Sequence, residues 1–195
     1  LRDAGVLYRQ YNETLSSERE WPLSHIPVLL SEEDWVEISA GVIERANLLD
    51  FVLRDFYGAN TLVRTGQLPG TLLSQNPAWL RPMVGSLASD APVLNSVSFE
   101  LGRGPDGKWW VISDLIEAPS TAGFAIENRI ATSRGFPNFF RQANVHRLAG
   151  FFQTFQDRLK ALKGQLAGEL ALLSPGPLNQ NYAEHAYLAR YLGLL

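Results

Sequence analysis

Apolar residues at Trp35, Ile38, Val42, Ala46, Leu49, Val52, Leu53 and Phe56 recur at spacings of three and four, which predicts one long amphipathic helix that Gly58 stops. Ser31 followed by Glu32, Glu33 and Asp34 supplies an N-cap and an acidic first turn, where orphan amides and the helix dipole favour negative charge. Ahead of it, residues 1–30 show little periodicity and read as an extended, turn-containing segment. Behind it, Gly66, Pro69, Gly70, Pro77, Pro82, Gly85 and Pro92 limit residues 59–96 to short helices and loops.

The period then changes. Val97 to Leu101 and Trp109 to Ile112 are β-rich runs around the turn cluster Gly102 to Gly107, the pattern of a β-hairpin. Pro119-Ser120-Thr121 offers a helix start before Gly123 to Arg129, and Gly135-Phe136-Pro137 ends that segment. Val145, Leu148, Phe151, Phe152, Phe155, Leu159 and Leu162 predict a second amphipathic helix, with Arg158, Lys160 and Lys163 in its last turns and Gly164 behind it. Leu170 to Leu173 reads as a short buried strand running through Ser174-Pro175-Gly176-Pro177 into a helix that opens near Asn181. Glu184 three residues on suggests a capping box. The predicted fold is therefore α/β: a mixed sheet with a hairpin, two long amphipathic helices and a C-terminal strand-loop-helix unit whose parallel partner strand would lie past residue 195.

Composition adds exclusions. The 195 residues are 46% hydrophobic and 19% charged, which marks a folded chain rather than a disordered one. No cysteine is present, so disulfides, thiolate nucleophiles and Cys-type zinc sites drop out. A net charge of −3 argues against a dedicated nucleic-acid binder or a polybasic membrane patch. That charge is uneven: residues 1–60 hold five basic and eleven acidic residues, residues 61–195 twelve and nine, so an anion site is expected in the later part. With no membrane-spanning run and no basic-then-apolar start, the expectation is a soluble, cytoplasmic protein. An initial Leu and the apolar last residues Leu192 to Leu195 suggest a single portion, residues 1–195, of a longer polypeptide.

Candidate chemistry narrows quickly. Gly102, Gly104 and Gly107 fit G-x-G-x-x-G, but strand residues follow where a dinucleotide fingerprint needs a helix. His25, His146 and His185 lack any zinc spacing, and no G-x-S-x-G elbow marks a serine hydrolase. Two stretches remain. Ser113 to Ser120 follows a strand and carries Asp114 and Glu117, with Glu127-Asn128-Arg129 just beyond; a strand-end carboxylate can hold Mg²⁺ and an Arg beside an Asn can clamp a phosphate or carboxylate, although solvated surface residues would look the same. Pro175 to His185 is a polar loop delivered onto a helix N-terminus, a place where exposed amides attract anions and where Asn181 and Glu184 could equally be caps.

Those two stretches resemble the circularly permuted ATP-grasp family of type 2, as do Leu1 to Val6, Trp21-Pro22-Leu23 to Ile26-Pro27, Phe56-Tyr57-Gly58, Trp110-Val111-Ile112 to Pro119-Ser120, Glu127-Asn128-Arg129 to Ser133-Arg134, Phe136-Pro137, Asn179, Tyr182, Glu184-His185 and Leu188-Ala189. The resemblance implies part of an ATP-dependent carboxylate–amine ligase related to glutathionylspermidine-synthetase-like enzymes, using ATP and Mg²⁺, with small amine and carboxylate substrates. This chain would be a pre-ATP-grasp-like portion forming a wall of the site, inactive alone and completed by the remainder of the same polypeptide. Carried over, Arg129 and Glu127 are the catalytic candidates, Ser120, Asn128 and Arg129 face the nucleotide, Asn179, Asn181 and Glu184 line the substrate side, and Asp114 faces the metal. The family's Glu-Asp-Asn is Ser113-Asp114-Leu115 here, and its Gly after Pro-Ser is Thr121. These departures motivate the alternative of a non-catalytic binding module or pseudoenzyme that uses the acidic first helix as a partner surface.

Overall fold

The computed structural model describes residues 7–9, 18–20, 22–24, 26–87 and 92–195, the first two segments by backbone alone. Leu1 to Val6, Trp21 and His25 lie outside the described residues. Two short strands, β1 (Leu7–Arg9) and β2 (Glu18–Glu20), pair antiparallel with Leu7 opposite Glu20. The chain divides into two compact units, one formed by Leu29–Pro119 and the other by Leu1–Val28 with Ser120–Leu195.

The unit Leu29–Pro119 is organised by the predicted long helix, α1 (Glu32–Tyr57). Ser31 caps it, its hydroxyl oxygen accepting from the Asp34 amide at 3.1 Å. Ile38 is buried on its inner side, and four of its polar side chains fasten the rest of the unit. Asp34 accepts from the Trp109 indole N–H at 3.1 Å; Arg45 donates to Asp114. Asp50 accepts from the amides of Val93 and Leu94, and Asp55 from those of Thr61 and Leu62, all at 2.7 to 2.8 Å. The breaker-rich stretch holds two four-residue helices, α2 (Thr61–Arg64) and α3 (Thr71–Ser74), and a 3₁₀ turn at Arg81–Met83.

The hairpin is present as β3 (Ser98–Arg103) and β4 (Trp109–Leu115), antiparallel, with a register shift between Glu100 and Leu101. Gly107 sits in its turn at φ 81°, a value that favours glycine, and strand follows at once, so the glycine pattern is hairpin chemistry. Gly102 lies opposite Trp110, and a Cβ there would stand 2.7 Å from the Ile112 side chain.

In the other unit, α4 (Ala122–Gly135), α5 (Pro137–Gln142), α6 (Ala149–Lys163) and α7 (Tyr182–Leu192) surround a core of Phe124, Phe152 and Leu192. Phe152 meets Tyr191 edge-on, and Tyr191 stacks on Tyr187. The expected strand at Leu170–Leu173 is not a regular strand, and among the described residues no mixed sheet forms. A strand needs a ladder, and here one residue supplies it: Leu195 donates to the Leu170 carbonyl at 2.9 Å and accepts from the Leu172 amide at 2.8 Å, the alternation of a parallel pairing. No described helix is long and apolar enough to cross a membrane.

Candidate functional site

Asp114 leaves β4 toward α1. Its two carboxylate oxygens accept from Nε and Nη2 of Arg45 at 2.6 and 2.7 Å, a bidentate pair that lowers the Asp114 pKa and raises that of Arg45. Ser113 and Leu115, on either side, cannot add a carboxylate. Among the described residues, no three His, Asp or Glu side chains gather closely enough to hold a metal ion. The residues around Asp114 therefore do not fit a divalent cation as they stand, because a hard cation needs several oxygens that no other cation already holds.

The start of α4 is built differently from the sequence expectation. Thr121, its N-cap, makes no side-chain cap bond and sits at φ 86°, ψ −7°. Ala118 also has positive φ, at 42°, so the Pro119-Ser120 dipeptide is flanked by two residues in conformations that L side chains rarely adopt. The cap comes from 61 residues away: Glu184, on α7, accepts from the Gly123 amide with Oε1 at 3.0 Å. Glu184 is 2% exposed, and its Oε2 has no hydrogen-bond partner among the described residues. Gly123 is needed there, since a Cβ would lie 2.9 Å from the Glu184 Cγ. The capping box at Asn181 and Glu184 is thus corrected. Asn181 precedes α7 but makes no side-chain cap bond, because Glu184 is drawn to the exposed amides of another helix.

Further along α4, Glu127 is half-buried beside α7, where burial first and the Glu127 charge second push the Tyr187 phenol up. Asn128 carries a buried amide oxygen with no partner among the described residues. Arg129 is half-buried, and among the described residues its guanidinium meets no carboxylate or other acceptor. Ser120 is half-buried as well. The loop before α7 closes on itself: Asn179 accepts from the Asn181 amide at 2.8 Å, and Ser174 Oγ lies 3.0 Å from His185 Nδ1 while accepting from the Gly176 amide at 3.3 Å. The structure so joins Glu184 to the α4 start and Glu127 to α7, places Asn179 and Asn181 in one loop, and gives Asp114 to Arg45. Arg45, Gly123 and the Ser174–His185 pair escaped sequence reasoning. For Gly123 the only available signal was a glycine inside a helical segment; Arg45 and Ser174 had none.

Among the described residues, α4 thus carries an Arg whose donors are unpaired and, one residue before it, an amide oxygen without a donor. The family model for circularly permuted ATP-grasp type 2 matches residues 27–195. The chain belongs to that family. This ATP-grasp chain is 28% identical over 196 residues to an uncharacterized protein of Synechocystis, covering 100% of the chain and 41% of that protein. It is 30% identical over 182 residues to an uncharacterized protein of Mycobacterium leprae, covering 91% of the chain and 32% of the relative. An uncharacterized protein of Mycobacterium tuberculosis is 30% identical over 175 residues, covering 89% and 20%. The ATP-grasp chain spans less than half the length of these relatives.

Proposed function

We propose that this chain forms one wall of the nucleotide and substrate site of an ATP-dependent carboxylate–amine ligase, and that Arg129 holds a phosphate or a substrate carboxylate in it. The observation that carries this reading is Arg129, half-buried as a residue, whose guanidinium has no acceptor among the described residues. An arginine whose donors are unpaired gains charge-assisted hydrogen bonds when a phosphate or carboxylate arrives. Asn128, one residue before it, offers an amide with an unused oxygen, which suits a ligand hydroxyl or amino group. Bound ATP would supply the activated phosphoryl group that turns a carboxylate into an acyl phosphate. This chain's residues bind and orient the anion; no step is assigned to Asp114 through a metal. Glu127, half-buried near Tyr187, and Ser120, next to the α4 start, belong to the same wall. Asn179, Asn181 and Glu184 form its substrate side, with Glu184 fixing the α4 start rather than capping its own helix.

The test is ATP- and amine-dependent phosphate release by the intact polypeptide and its Arg129→Ala variant. A loss of at least tenfold with Arg129→Ala is expected, the size of a charge-assisted contact of about 1.5–3 kcal/mol. Equal rates would remove Arg129 from the mechanism.

The pairing of Asp114 with Arg45 favours a second reading, a non-catalytic member that keeps the fold. Calorimetry with Mg-ATP separates the two: Mg²⁺-dependent micromolar binding counts against it, and no heat counts against the ligase.

A further inference from the structure

Helix α1 is apolar on two sides, and among the described residues only one of them is packed. Its inner side carries Ile38, Val42, Leu49 and Leu53. On the opposite side Val36, Ala40, Ile43 and Asn47 succeed one another at spacings of four, three and four, the d-a-d-a sequence of a heptad seam, with Phe51 and Leu48 beside it. The seam is open: Val36 is 59% exposed, Ile43 and Leu48 each 60%, and Phe51 68%. It ends where Asp50 and Arg54 pair with each other and Asp50 holds the Val93 and Leu94 amides.

The flank of this seam is charged with one sign. Glu37 and Glu44 occupy the e positions of the same heptads, and Glu33 precedes them. Among the described residues none of the three has a salt-bridge partner. In coiled coils an e-position charge chooses the partner, because it faces an oppositely charged side chain across the seam. Small Ala40 lets a second helix approach, and polar Asn47 at an a position pins its register. A second copy of α1 would bring acid against acid, and an anionic lipid surface would be repelled for the same reason.

We propose that this face of α1 docks a partner helix that is apolar along one side and flanked by Lys or Arg. The contact covers about two heptads, so it is a reversible recognition surface rather than a permanent interface.

Fluorescence anisotropy of the 195-residue chain against a labelled 21-residue synthetic helix tests this. One probe carries a leucine seam flanked by lysines and a second has every lysine replaced by glutamate. Saturable binding of the lysine probe, at least about tenfold tighter than the glutamate probe, is expected. Ile43→Asp abolishes it, and the double variant Glu37→Lys with Glu44→Lys reverses the preference; both sites are exposed, and circular dichroism checks that α1 persists. The proposal would be overturned by equal affinity for the two probes, by binding that Ile43→Asp leaves intact, or by a dimer in sedimentation equilibrium that Ile43→Asp dissolves. Binding to anionic vesicles at the same face would overturn it as well.

Discussion

Replacing Thr121 by glycine should make this protein more stable, against the usual effect of adding a glycine. At φ 86° and ψ −7° Thr121 occupies the conformation of the third residue of a type II turn, which L side chains enter at a cost of about 1–3 kcal/mol. Its side chain returns nothing for that cost: it is exposed and makes no cap bond to α4. Glycine removes the strain but enlarges the freedom of the unfolded chain, an offset of about 0.4–1 kcal/mol. The balance is a gain of about 1 kcal/mol. With a urea slope of about 2 kcal/mol per molar, the midpoint of unfolding followed by far-ultraviolet circular dichroism should rise by about 0.5 M. Thr121→Ala, which keeps a Cβ, should give none of this. A lower midpoint for Thr121→Gly would refute the reasoning, since it would mean that the Thr side chain contributes more than its backbone conformation costs.

Gly123→Ala should destabilise by about 1–3 kcal/mol, since its Cβ falls 2.9 Å from Glu184 Cγ; the Gly123→Ala, Glu184→Ala pair should cost less than the sum of the singles in thermal melts. Asp34, Asp50, Asp55 and Asp114 all have lowered pKa values. For Asp34 the Trp109 bond is the main cause and for Asp55 the Leu62 amide; at Asp50 burial pulls upward but Arg54 and the two amides outweigh it; at Asp114 Arg45 dominates. Depressed carboxylates stabilise above their ordinary value of 3.8 and lose that contribution as pH falls through the lowered values, so the melting temperature should drop below pH 4 and drop less steeply in Asp114→Asn. Glu184→Gln should keep the bond to the Gly123 amide through its remaining carbonyl, whereas Glu184→Ala should lose about 1–2 kcal/mol in urea titrations.

Periodicity made α1, the hairpin and α6 legible, because a three-four or a two-residue repeat is a local record of which side faces the core. The α1 N-cap was legible for the same reason, Ser31 and Asp34 being three residues apart. Contacts decided at long range were not. Glu184 looks like part of a local box, but the amide it serves is 61 residues upstream. Asp114 looks like a metal-facing carboxylate until Arg45, 69 residues away, takes both its oxygens. Leu170 to Leu173 has strand composition, yet composition does not supply the neighbour that a ladder requires. Of the candidate site, Glu127, Asn128 and Arg129 were legible as a cluster on one helix, whereas which of the three lacks a partner depends on packing that no spacing encodes.

The carboxylates that reach loop and helix-start amides have a kinetic consequence. Thr61, Leu62, Val93, Leu94 and Gly123 belong to no β ladder, yet each N–H is tied to an aspartate or glutamate oxygen. In native-state hydrogen exchange they should appear as protected islands inside segments that would otherwise exchange freely. The Thr61–Leu62 and Val93–Leu94 islands should open together with α1, whose Asp55 and Asp50 hold them. Their protection factors would then measure how far the long helix acts as one cooperative unit with the loops strung along it.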